Sequence, residues 1–418
     1  MSTSRIIQLA QLIASETHTL DEHLNENKLP QPSFAAGAPT EPFPQPSPSV
    51  TKARTNVIEA TIELRQLLEG PVKQLLPESN FAPLASVYRF NIAKHVPVGG
   101  TISFSDLAVK CKLLEHDLKR IIRHTSIHHR VFVEPDEGLV AHTAASRLLV
   151  DNELIGDLMG LTFAECWPAH ARAPDAIAHR SEEPNISGYS LANNTDLNMF
   201  QYLAEHPDRA RRFAGAMSST SPASLDALAS HLDWAAFPPG TTVVDVGGAQ
   251  GHVSVHLARR FPGLNFVVQD IPEVIDGAEG KVPEELGSRV SLVPHDMFSP
   301  QPARNADVYL LRYVLHDWPD KYCIRVIENI VPVLKKGGKI VLQEHVLAEH
   351  GSLGLLAEMQ VRSMDAIMMS LFNSRERTVA DWEDVFARAG KGGFDVSVKR
   401  VEGNAATGVV VAEWRGSA

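Results

Sequence analysis

The stretch TVVDVGGAQG, residues 242–251, decides the fold: an apolar run rich in β-branched residues ends on Asp245 and Val246 and passes directly into a glycine-rich turn. Such a run predicts a buried strand, and Gly247, Gly248 and Gly251 let the backbone approach a ligand that a Cβ would hold off. The next strand-like run, LNFVVQD, closes on Asp270. A carboxylate there suits the ribose hydroxyls of a nucleoside cofactor, while Asp245 can anchor the turn or accept from the cofactor. Alone, the glycine turn is also compatible with a purely structural turn. GGAQG lacks the GxGxxG spacing of a dinucleotide site, which argues against NAD.

Outward from this point, HVSVHLARRF, RVSLVPHD, ADVYLLRYVLHDW, CIRVIENIVPVL and KIVLQEHVL alternate short apolar runs with helical patterns. That alternation predicts an α/β domain with a mostly parallel sheet covered on both faces. Ligands of such sheets gather beyond the carboxyl ends of the strands.

The polar residues fall at those ends. VPHDMF, residues 293–298, places Asp296 beside Met297 and Phe298, an acid for an exocyclic amine next to apolar side chains that could sandwich a purine. An ordinary strand exit would read the same way. LLRYVLHDWPD, residues 310–320, sets His316 after a long apolar run, with Asp317, Trp318 and Pro319 behind it. A free imidazole in that position can remove a proton near neutral pH; the competing reading is a packed histidine bonded to backbone. Glu344, ending KIVLQE, and Glu376, in NSRERT, are the candidate carboxylates. One of them accepting from the second ring nitrogen would fix the tautomer and raise its basicity. A histidine with acidic support and no evident serine, cysteine or metal partner suits proton abstraction better than hydrolysis.

DVGGAQG, VVQDIPEVI, HDMF, LRYVLHDWPD and SRERT, in this order and spacing, resemble the catalytic domain of class II S-adenosylmethionine-dependent O-methyltransferases of the plant caffeate and flavonoid type. The variant is most similar to the fungal enzymes that methylate aromatic polyketides such as sterigmatocystin. Ala249 stands where the family's DVGGGxG has a third glycine. The resemblance implies a C-terminal Rossmann-like domain that binds S-adenosylmethionine and an N-terminal helical, winged-helix dimerisation domain. It implies His316 as general base, with Glu344 and Glu376 flanking it. Gly247, Asp270, Asp296, Met297 and Arg312 match cofactor positions, Arg312 replacing a lysine common in relatives, and Trp318 matches a residue near the adenine. Phe163, Trp167, Met359, Met364, Asp365 and Met368 match the acceptor region by location only.

The chain has 418 residues, which favours two domains. The expected division is an N-terminal helix and Pro-rich arm over 1–50, a winged-helix domain over 51–155, a helical connector with pocket helices over 156–235, and the cofactor-binding domain over 236–418. Seven prolines from Pro30 to Pro48 leave 28–50 as a linker or disordered arm, one that crosses to a partner subunit or stays a loose leader. Helices are expected over 56–69 and 80–94, and residues 147–230 read as helical throughout. Residues 101–143 read as helix, turn, helix and a two-stranded wing. Lys119, Arg120, Arg123 and His124 on its second helix raise nucleic acid as a partner. The net charge of -11 opposes that, favouring a scaffold for dimerisation and a small-molecule substrate.

Three cysteines, Cys111, Cys166 and Cys323, lie far apart and read as free thiols of a reducing compartment. The pairs His124/His128 and His252/His256 lack an HExxH form or a third ligand, so no metal is expected. No apolar run approaches the length of a membrane span, and a cytoplasmic location is the expectation. Two rivals to methyl transfer stay open. One is a pericyclase or dehydratase using the same cofactor as an electrostatic element; the other is a winged-helix DNA-binding regulator.

Overall fold

The structure is a computed structural model and describes residues 3–76, 80–218, 222–276, 278–401 and 404–416. Two compact units emerge: Met1–Phe163 with Arg212–Ser218, and Ala164–Arg211 with Ser219–Ala418. The helical segment 156–235, expected to stand as a connector, is shared between them.

In the first unit, helices Arg5–Glu26 and Pro48–Leu75 pack together, with Leu20, Leu24, Val50 and Ala53 burying Phe43 of the intervening arm. The arm is therefore not a disordered leader. Its prolines exclude regular structure but also lower the entropy of ordering it. Farther along, Phe34 O accepts from Ala144 N (3.1 Å) and Ala35 bridges to Thr143. The stop signals at 70–71 break the second helix without ending it, because Gly70 takes a positive φ of 76° that the helix cannot. The helix expected over 80–94 likewise divides, into Ala82–Arg89 and Ile92–His95, at Asn91 in the left-handed region.

Helices Phe104–Cys111 and Glu115–His129 follow, with a small antiparallel sheet of Ile102–Ser103, Leu139–His142 and Phe132–Val133 in that order. The cations on Glu115–His129 are committed to carboxylates: Lys119 to Glu115 (2.6 Å), Arg120 to Asp117 (3.3 Å) and Arg123 to Glu134 (2.9 Å).

In the second unit the sheet strands are β1 (Thr242–Val246), β2 (Asn265–Asp270), β3 (Val290–Pro294), β4 (Val308–Arg312), β5 (Lys339–Leu347), β6 (Phe394–Val401) and β7 (Asn404–Trp414). Their order is β3-β2-β1-β4-β5-β7-β6, and a two-residue strand, Arg377–Thr378, pairs off this path with β5. β1 to β5 are parallel, and β6 and β7 close the sheet as an antiparallel hairpin. Alternation divides each strand between two cores: Val244 and Val246 join Leu311 and Leu342 on one face, while Val243 joins Leu310 and Val341 on the other. Strand order reverses between β1 and β4, the crevice where such sheets hold their ligands.

Candidate active site

The turn after β4 carries His316, which is buried on a short 3-10 turn, Leu315–Asp317. Its Nδ1 lies 2.9 Å from Glu376 Oε1 and 4.0 Å from Glu344 Oε2. With Nδ1 donating to Glu376, Nε2 is the acceptor nitrogen whenever the ring is neutral. Nε2 stands 3.5 Å from Asp317 Oδ1. Three carboxylates thus surround one imidazole.

The two glutamates do different work. Glu376 bonds the ring, whereas Glu344 grips the backbone: its Oε1 accepts from Val314 N (3.2 Å) and Leu315 N (2.9 Å), the entry to the histidine's turn. Both are buried. Burial alone pushes the His316 imidazole down, but Asp317, Glu344 and the hydrogen bond to Glu376 outweigh it and raise the group to about 10. Burial likewise pushes Asp317 and Glu344 up to about 7, against the pull of His316. The neighbouring acids thus favour the protonated imidazole, against the effect of its burial.

Across the crevice, the turn after β1 is set by backbone geometry. Gly247 and Gly251 take φ of 72° and 83°, and Gly247 N and Gly248 N both donate to Gln269 O (2.8 and 3.1 Å). A Cβ on Gly248 would meet the Asp245 carboxyl carbon at 2.6 Å. Asp245 is buried, accepts from Ser254 Oγ (2.7 Å) and is pushed up to about 6, chiefly by burial. Its first service is to anchor the turn. Asp270 closes β2 and receives Ala249 N on Oδ2 (2.9 Å) and Ile271 N on Oδ1 (2.8 Å); burial raises it, opposed by those two bonds. Each oxygen keeps a lone pair for a ribose hydroxyl.

Asp296 is exposed just past β3, its Oδ1 receiving Phe298 N (2.9 Å), and Met297 beside it is half-buried. Trp318 packs edge-on against Phe298 (4.6 Å between ring centroids) and stacks on Phe200 (5.8 Å), so it lies next to the segment holding Asp296 and Met297. Arg312 ends β4, donates to Gln343 Oε1 (2.7 Å) and lies over the Tyr313 ring; burial lowers its pKa while Tyr313, Asp245 and Glu344 oppose the shift.

The acceptor candidates divide. Phe163 ends the main segment of the first unit, whereas Trp167, Met359, Met364, Asp365 and Met368 belong to the second. Met359, Met364, Asp365 and Met368 lie on the helix Leu355–Phe372, which packs against Trp167–Ala178. Met368 is buried and Met364 half-buried, while Met359 and Trp167 are exposed. Asp365 Oδ1 accepts from Glu376 N (2.9 Å), fixing the residue that holds His316.

Sequence reasoning missed Arg377, a fully buried arginine beside Glu376. It donates to Leu315 O (3.2 Å), Trp318 O (2.7 Å) and Asp320 Oδ1 (2.8 Å). The only signal was its place in SRERT, between the acid and the threonine that caps the next helix. Among the described residues, no group of three or more His, Cys, Asp or Glu side chains is placed to hold a metal ion, and no helix is long and apolar enough to cross a membrane.

An O-methyltransferase domain family matches residues 174–392, which span the helices preceding the sheet, the glycine turn, His316 and both glutamates. The chain belongs to this family of O-methyltransferases. It is 41% identical over 99% of its length to the grayanic acid biosynthesis cluster O-methyltransferase of Cladonia grayi, of which it covers 88%. It is 36% identical to O-methyltransferase pyvH of Aspergillus violaceofuscus, with 100% of each chain covered. Among solved structures, OxaC shares the fold at a TM-score of 0.76 and 19% identity, with 97% of this chain and 100% of that one covered. LepI in complex with SAM shares it at 0.72 and 22%, with 97% and 99% covered.

This O-methyltransferase uses S-adenosylmethionine and is of the kind found in fungal secondary metabolism. The donor set fits that cofactor: carboxylates end β2 and follow β3, and a glycine turn admits close approach after β1. When bound, S-adenosylmethionine supplies a methyl group activated by a sulfonium centre.

Proposed function

We propose that the chain methylates a phenolic or enolic hydroxyl of an aromatic, polyketide-like secondary metabolite, with His316 as general base. The observation that carries this reading is the hydrogen bond from His316 Nδ1 to Glu376, which leaves Nε2 to meet the acceptor's proton. Glu376 orients the ring and Glu344 its backbone. The acceptor proton passes to the imidazole, and the oxygen left behind is the nucleophile. An imidazolium facing a phenolate holds the same number of protons as an imidazole facing a phenol. The raised proton affinity of His316 is thus compatible with a phenol, whose own pKa is near 10. Alignment contributes more than the base, on the order of 7 kcal/mol.

In the same reading Asp270 takes the ribose, Asp296 and Met297 the adenine, and Gly247, Gly248 and Gly251 the space that lets the cofactor in. Asp245 and Arg312 support that side, with Trp318 beside it. Met364, Met368, Met359 and Trp167 offer thioether and aromatic faces to a flat acceptor, and Phe163 belongs to the same expectation. Glycine-turn chemistry, the acid charge of the chain and the paired cations of Glu115–His129 support a small-molecule substrate over nucleic acid. Exposed Leu67, Leu68, Val72 and Leu75 of the first unit support a homodimer, and the reading includes a cytoplasmic location.

Mass spectrometry of reactions with S-adenosylmethionine and a panel of hydroxylated aromatic polyketides tests it, run beside His316→Ala. Products heavier by one methyl group, with S-adenosylhomocysteine released and both lost in the variant, are expected. A rearranged or dehydrated product without S-adenosylhomocysteine would overturn methyl transfer in favour of a pericyclase or dehydratase.

A further inference from the structure

On the reading of His316 as the base, we infer that Arg377 is its positioning residue: one buried guanidinium holds both ends of the turn that presents the imidazole. Nη1 donates to Leu315 O and Nη2 to Trp318 O, the carbonyls on either side of His316 and Asp317. Nε donates to Asp320 Oδ1, at the first turn of the helix Asp320–Ile330, and the guanidinium lies 4.9 Å over the Trp382 ring. With a further bond from Nη1 to Arg375 O (3.4 Å), the planar fork meets four acceptors and rests on a packed aromatic face.

Its neighbour completes the device. The short strand Arg377–Thr378 pairs in parallel with Val346 and Leu347 of β5, two residues past Glu344. Glu376, the residue just before it, takes the imidazole nitrogen, and Arg377 takes the backbone that carries the imidazole. Ring and turn are thus registered to one segment, which is in turn registered to the strand bearing Glu344. Cys323 Sγ also reaches Leu315 O and Trp318 O, at 3.2 Å each, but a thiol is a weak donor and cannot replace the fork.

Arg377→Lys keeps the charge and loses the fork. In the full chain it is expected to lower kcat about 100-fold, the effect of a small misplacement of a catalytic group, with KM for S-adenosylmethionine within about twofold. The imidazole 15N resonances of His316, assigned against His316→Ala, should shift in the same variant. Arg377→Ala should regain part of its kcat when guanidinium ion is added. Asp320→Asn, which loosens the guanidinium without deleting it, should shift the imidazole resonances to a smaller degree. A folded Arg377→Lys with lowered thermal stability but unchanged kcat and unchanged His316 resonances overturns the proposal, leaving Arg377 a packing residue. If the wild-type chain forms no methylated product, the functional reading fails instead, and the imidazole resonances still report on the clamp.

Discussion

The two sides of the crevice are built by opposite means. After β1, the cofactor turn is a local device, made by glycine conformations, backbone donors to Gln269 and one short carboxylate–serine contact. After β4, the His316 turn is a long-range device: Glu344, Glu376 and Arg377 reach it from other strands, and every one of them is buried. The first needs only its own residues, the start of the helix that follows and the adjacent strand β2. The second exists only when the sheet is complete, so its chemistry is tied to the integrity of the whole unit.

Two substitutions should separate these devices. His316→Ala is expected to lower kcat by about 10²- to 10⁴-fold, the usual contribution of a general base, while S-adenosylmethionine affinity by calorimetry changes little. Gly248→Val should do the reverse, because its side chain would strike the Asp245 carboxylate and force the turn open. Cofactor binding should fall below detection while the imidazole resonances of His316 remain. Loss of cofactor binding in His316→Ala would show that the two sides are one device.

What was legible in the sequence follows the same division. The glycine turn, Asp270 and the parallel sheet are written in contiguous residues, where strand period and glycine spacing are decided locally. His316 and Glu344 were found because each closes an apolar run and Glu376 from its place in NSRERT before a helix, yet which glutamate holds the ring depends on pairing between β5 and Arg377–Thr378, which no periodicity encodes. Arg377 escaped because a charged residue in a polar stretch reads as solvated; only the convergence of Leu315 O, Trp318 O and Asp320 buries it. Asp365 was matched to the acceptor region by location alone, and its bond to Glu376 N is a contact that no local pattern shows. The arm over 28–50 left linker and disordered arm open for a related reason: proline density reports on regular structure, not on whether a single Phe43 finds a core.

Smaller in effect is the pH response, which sharpens the electrostatic half. The reactive His316–phenol pair carries one proton fewer than imidazolium with phenol. With the imidazole raised to about 10, kcat should therefore climb through alkaline pH and not level off near 7. Glu376→Gln removes one stabilising charge, so the rise should move to lower pH while its plateau falls by about 10- to 100-fold from the loosened ring. Stability carries the matching sign. A histidine raised above its ordinary 6.5 lends stability that is full below that value and is lost as pH rises through about 10. Urea denaturation across that range should show a flatter loss in Glu376→Gln than in the wild type. An unmoved kcat profile would mean that the carboxylate orients the ring without setting its proton affinity.

The smallest change tests the local half, at the one residue where the chain departs from the glycine-rich pattern. Ala249 holds φ of 49° while its N–H donates to Asp270 Oδ2. An L-residue in the left-handed region costs about 1–2 kcal/mol, which glycine does not bear. The methyl group also restricts the turn before the cofactor arrives, so glycine at this point has more freedom to lose on ordering. These terms oppose each other. Relief of strain acts on the folded turn in both its free and bound states, whereas the restriction acts mainly on the free turn. Ala249→Gly is therefore expected to change thermal stability by less than about 1 kcal/mol and to weaken S-adenosylmethionine binding by a factor of about 2 to 5. Tighter binding in the glycine variant would mean that the cofactor pulls Ala249 further into the strained region than the free turn does, and the turn would then share with the His316 side a geometry completed only on assembly.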